Sequence, residues 1–100
     1  MEFAKYKQEI QGDLPPNLDA GTRLKQIVRI QTNTFKLSGN DTKGMRVFVN
    51  EDGVQKEYRT SSTVLMSQLE EFFKNHPNET LDNVKVIQPK GKNYLTLESA

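Results

Sequence analysis

The chain has 100 residues, 34% of them hydrophobic and 27% charged, with a formal net charge of +1. That is the size of one small domain with a modest core, and the lack of cysteine excludes disulfides, zinc ribbons and thiol catalysis. A balance so close to neutral argues against a duplex-DNA-binding protein, which ordinarily carries a strongly basic face.

No run approaches the roughly 20 apolar residues a membrane helix needs, and the stretch from Met1 to Lys7 lacks the apolar segment of a signal peptide. The absence of cysteine also fits a reducing setting, so a cytoplasmic protein away from membranes is expected, or a nuclear one in a eukaryote. The sequons at Asn40 and Asn78 then carry no glycosylation signal.

Residues 1–21 read as an extended N-terminal arm and residues 22–100 as the folded domain. Pro15 and Pro16 fix φ and disfavour helix in the residues before them, while Phe3, Tyr6, Ile10, Leu14 and Leu18 could pin the arm to the domain. From Arg23 to Leu37 the chain is rich in β-branched residues. Leu24, Val28 and Ile30 alternate with Arg23, Lys25, Ile27, Arg29 and Phe35, the pattern of a half-buried strand. Its length predicts a bulge, after which Phe35 and Leu37 turn inward.

Ser38 to Gly44 reads as a loop. A second strand follows, with Met45, Val47 and Val49 facing in and Arg46 and Phe48 facing out. Asn50-Glu51-Asp52-Gly53 is a tight hairpin turn with Gly53 suited to positive φ, and Val54 to Arg59 makes a third strand. Thr60, Ser61 and Ser62 offer N-caps to a helix whose apolar stripe is Leu65, Leu69, Phe72 and Phe73. Pro77 ends it. Two last strands, Val84 to Gln88 and Tyr94 to Glu98, flank a loop over Pro89 to Asn93.

Strand, strand, strand, helix, strand, strand in this order resembles the OB fold of single-stranded nucleic-acid-binding proteins, and the resemblance covers Arg23 to Glu98. It lies in element order and Gly-bearing loops, not in a residue motif. The fold class it implies is all-β with one helix, a five-stranded OB barrel. A β-grasp α+β domain is the alternative, since it also sets a helix between strand pairs; the long first strand and the extra third strand favour the barrel.

In OB domains the ligand lies across the second and third strands, flanked by the loops joining strands one to two and four to five. Single-strand binding needs cations for phosphates and flat side chains for bases. The residues from Gly21 to Leu69 hold eight basic and four acidic side chains, a net of +4, with the acids expected in loops and helix. The resemblance therefore places phosphates on Arg29, Lys36, Lys43, Arg46, Arg59, Lys90 and Lys92, and bases on Phe48, with Phe35, Tyr58 and Tyr94 as further stacking residues.

Each residue also has a plainer reading. An outward Phe48 either stacks a base or is covered by the arm or the helix. Tyr58 and Tyr94 could be half-buried strand packing, and Lys90-Gly91-Lys92 a solvated hairpin tip. His76 is a helix-end residue, and Glu70-Glu71, adjacent on a helix, point in different directions and form no acid–base pair. With one His, no Cys and no Gly-rich phosphate loop, no catalytic residue, metal site or cofactor is expected, and the chain is not expected to be an enzyme. The expected function is binding of single-stranded DNA, or RNA, with little sequence specificity. The alternative is an OB-like protein-interaction module in a replication, repair or phage complex, with a protein partner or a second copy of the chain.

Overall fold

The structure, a computed structural model, describes residues 15–37 and 39–100; the arm expected over residues 1–21 lies outside the described residues as far as Leu14. The elements are β1 (Arg23–Leu37), β2 (Asn40–Glu51), β3 (Val54–Thr60), helix α1 (Thr63–Asn75), β4 (Leu81–Ile87) and β5 (Thr96–Ser99). The five strands form one antiparallel sheet in the order β3-β2-β1-β4-β5. This is the strand-strand-strand-helix-strand-strand, OB-like arrangement expected from the sequence.

β1 lies at the centre because it serves two partners in turn. Arg23 to Ile27 pair with β4, and from Ile27 onward the strand pairs with β2. The register slips between Ile27 and Arg29, so Val28 is the extra residue of a bulge, the device that bends a strand and sharpens its twist. The slip changes the expected faces. Ile27, expected outward with Arg23 and Lys25, is fully buried.

β2 and β3 are joined by Asp52 and Gly53, at φ 53° and 82°. Two successive positive φ values match the right-handed twist of the flanking strands. They lock the register from Glu51 opposite Val54 to Met45 opposite Thr60.

The region read as a loop from Ser38 to Gly44 is instead mostly strand. Pairing continues to Leu37 opposite Asn40, so β1 and β2 form a long ribbon closed by a short turn with Gly39 at φ 79°. Solvated polar residues such as Thr42 and Lys43 satisfy their backbone in that ribbon without showing an apolar alternation. In the last hairpin β4 begins earlier than expected, at Leu81, and Tyr94 falls in the connection before β5 rather than in the strand.

α1 starts where the cap chemistry directs it. The Ser62 hydroxyl accepts from the Leu65 amide at 3.4 Å, and the helix closes with the His76 amide donating to the Phe72 carbonyl at 2.8 Å, just before Pro77. Leu65 and Leu69 are fully buried among Met45, Val47, Val49, Val84 and Val86. Both phenylalanines are half-buried; Phe73 packs against this core, and Phe72, outside it, meets Phe73 edge-on at 5.0 Å. α1 also secures the short β5: Gln68 donates to the Thr96 hydroxyl at 2.6 Å and accepts from the Leu97 amide at 2.9 Å.

The barrel is not closed by its edge strands. No pairing joins β3 to β5 among the described residues. The outer edge of β3 is taken by the segment before β1 instead. Arg59 donates its amide to the Pro16 carbonyl at 2.9 Å and accepts from the Leu18 amide at 2.8 Å, making a parallel bridge at Asn17. Leu18 is completely buried in the core. After a turn at Ala20 and Gly21, Gly21 and Thr22 join Val86 of β4 and lead into β1, so the segment before β1 touches both β3 and β4.

Candidate nucleic-acid interface

The core occupies one face of β1–β3, and directly opposed residues of an antiparallel pair share a face. Met45, Val47 and Val49 point inward, so Phe48 and Arg46 point outward, as the alternation predicts. The register then fills the outward face row by row. Arg29, Phe48 and Glu57 lie abreast across β1, β2 and β3; Gln31, Arg46 and Arg59 lie abreast in the next row. Beyond them Asn33 faces Gly44 and Phe35 faces Thr42.

Two cation–aromatic contacts organise this surface. The guanidinium carbon of Arg29 sits over the Phe48 ring, 3.7 Å from its centroid. That of Arg46 sits over Phe35 at 5.5 Å. Both fall within the ~6 Å over which a ring quadrupole attracts a cation. Phe48 is half-buried, covered on its outer side by Arg29 rather than by the helix. Phe35 is buried, but it belongs to the outward face with Phe48 and is not part of the core cluster. The expected inward turn after the bulge does not occur, because the single extra residue at Val28 leaves Phe35 opposite Thr42, in step with Arg29 and Phe48.

The electrostatics are less basic than the residue count suggests. Glu57, expected among loop acids, lies on this face and pairs with Arg46 at 2.8 Å, the two side chains 28% and 33% exposed. Arg29, Arg46 and Arg59 against Glu57 leave the face a net of +2. Arg59 reaches toward Asn17 at 3.5 Å, and its Nε is buried with no partner among the described residues. At the opposite end of the sheet Lys25 pairs with Asp52 at 2.8 Å and Lys56 with Glu51 at 2.7 Å. The carboxylates hold both lysines above their ordinary pKa through hydrogen bonding first and charge attraction second.

The structure therefore brings together Arg29, Phe35, Arg46, Phe48 and Arg59 from the expected set. Others lie apart. Tyr58 is opposite Val47 and packs on the core, so it is on the inner face. Lys36 and Lys43 are exposed on the outer half of the β1–β2 ribbon, in step with Met45 rather than with Phe48. Lys90, Lys92 and Tyr94 belong to the β4–β5 connection, whose strands stand on the other side of β1 from β2 and β3. That connection is an ordered turn: the Lys92 amide donates to Pro89 at 3.0 Å, Gln88 donates to the Lys92 carbonyl at 2.9 Å, and Gly91 takes φ 76°.

Five residues of the face were not singled out by sequence: Gln31, Asn33, Thr42, Gly44 and Glu57. Glu57 was within reach, because a two-residue turn at Asp52-Gly53 dictates that Glu57 stands opposite Phe48. Among the described residues no group of three or more His, Asp or Glu side chains converges as metal ligands, and no helix is long and apolar enough to cross a membrane. Compared with known proteins, the chain matches no family model, no curated protein and no solved structure.

Proposed function

We propose that the outward face of β1–β3 binds single-stranded nucleic acid, DNA or RNA, with little sequence preference, and that the chain is a binding module and not an enzyme. The observation that carries this reading is the alternation of arginines and aromatics on one sheet face, Arg29 with Phe48 and Arg46 with Phe35. A flat base needs a stacking surface and its phosphates need cations within a nucleotide's reach, and this face offers both. The OB-like strand order adds support, since β2 and β3 are where such folds take a strand. Phosphates lie on Arg46 and Arg59, whereas Lys36 and Lys43, on the opposite face of the ribbon, and Lys90 and Lys92, in the β4–β5 connection, stand outside this track. No cofactor enters this reading.

A second reading rests on the Arg46–Glu57 pair. A face that neutralises part of its own charge also suits a protein partner or a second copy of the chain. Fluorescence anisotropy with dye-labelled single-stranded and double-stranded oligonucleotides over a salt series decides between the two. Single-strand binding that weakens with salt through counterion release is expected. No binding at low salt removes the nucleic-acid reading and leaves the protein-interaction one. Phe48→Ala is expected to cost about 1–3 kcal/mol of binding for each stacked base lost.

A further inference from the structure

Phe48 cannot present its outer ring face directly, because Arg29 already occupies it. The two residues are directly opposed in the β1–β2 ladder, and the guanidinium carbon lies over the ring at van der Waals distance, 3.7 Å from the centroid. A base reaching for the ring on that side would first have to displace the arginine and lose the cation–ring contact. The guanidinium, however, is itself flat and delocalised, is weakly hydrated for a cation, and has a second face. Arg29 is exposed. Among the described residues no carboxylate engages it, in contrast to Arg46 with Glu57, Lys25 with Asp52 and Lys56 with Glu51.

We propose that the base-stacking platform of this surface is the guanidinium of Arg29, with Phe48 as its support, so that a bound base forms the third layer of a Phe48–Arg29–base stack. This rests on the single-strand reading above and assigns Arg29 a different role within it, as a stacking plane rather than a phosphate clamp. Guanidinium planes and aromatic rings are both surfaces on which unstacked bases settle. Phe48 holds the guanidinium in place before the strand arrives, which lowers the ordering cost of binding.

Lysine separates the two roles, since it keeps the charge and has no plane. The full chain and its Arg29→Lys, Arg29→Ala and Phe48→Leu variants are titrated against a dye-labelled oligothymidylate strand, with circular dichroism melts to confirm that each is folded. Arg29→Lys is expected to weaken binding roughly five- to a hundredfold, close to the loss in Arg29→Ala. Phe48→Leu is expected to fall in the same range, and the Arg29→Lys/Phe48→Leu double variant to be no weaker than the worse single one, because the pair acts as a unit. Binding by Arg29→Lys equal to that of the unsubstituted chain, with Arg29→Ala weak, makes Arg29 a point charge on a phosphate; that overturns the platform and leaves the single-strand reading standing. Failure of the unsubstituted chain to bind at low salt overturns both.

Discussion

Phe35 lies so close over Gly44 that a Cβ added at the glycine would stand 2.8 Å from the Phe35 Cδ2 and 2.9 Å from the Thr60 carbonyl oxygen. The glycine is there for its missing side chain. It leaves room for an aromatic ring, buried to 4% exposure, over which the Arg46 guanidinium rests. Gly44→Ala is therefore expected to destabilise the protein by about 1–3 kcal/mol, as overpacking usually does. Urea denaturation checks this, and adding Phe35→Leu to the alanine variant should restore part of the loss. An unchanged midpoint in Gly44→Ala would mean that the ring yields freely.

Leu18 is fully buried although it precedes the first strand of the sheet. Its neighbours Pro16 and Asn17 pair with Arg59 of β3, so this segment takes the edge that the short β5 leaves open. Leu18→Ala is expected to cost about 2–5 kcal/mol, the range for emptying a core leucine site. A loss below about 1 kcal/mol would show the segment to be an appendage that contributes little to the core.

Glu57 is the one carboxylate of the outward β1–β3 face among the described residues, and it holds Arg46 at 2.8 Å. Under the proposed function a bound phosphate competes for Arg46. Glu57→Gln frees the arginine and removes a repulsive charge, so single-strand affinity is expected to tighten by about 1 kcal/mol or less, the scale of a partly exposed ion pair. The gain should shrink as salt rises. Anisotropy titrations at two salt concentrations measure it, and weaker binding by the glutamine variant would place the strand away from Arg46.

Lys25 and Lys56 tie the β2–β3 turn to its surroundings through Asp52 and Glu51. Both lysines are raised above the ordinary value of 10.5 in the folded protein. A group whose pKa is higher folded than unfolded stabilises fully below its unfolded value and loses that contribution as pH climbs through the folded one. A Lys25→Met/Lys56→Met variant should thus melt slightly lower than the unsubstituted chain by a constant margin from neutral pH up to about pH 10, and the margin should close above that. Calorimetric melts across this range test it; a margin that persists in strong alkali would assign the effect to the lysine stems and not to their charge.

The parts legible in sequence were those with strong local causes. The β-branched run from Arg23 to Leu37 forms one strand with those bounds, Asp52-Gly53 makes the turn its residues require, and Ser62 caps a helix whose Leu65 and Leu69 are buried. The outward placement of Arg46 and Phe48 followed from burying three apolar neighbours to expose one. The ribbon from Leu37 to Gly44 was not legible, because a solvated polar hairpin shows no hydrophobic period and looks like a loop. Tyr58 was misplaced on the binding face although the turn that sets Glu57 opposite Phe48 also sets Tyr58 opposite the inward Val47.

What the amino-acid sequence determines by itself is the order of elements and the alternation within each strand, since both arise from interactions between residues near one another in the chain. Tertiary structure decides the rest. One bulged residue at Val28 shifts the register of β1 against β2 by one, and that shift puts Arg29 opposite Phe48. Contacts between strands then put Arg46 on Glu57, Phe35 over Gly44, and Leu18 in the core at the open edge of β3. Each depends on register and sheet curvature, where a slip of one residue turns every side chain of a strand to the other face.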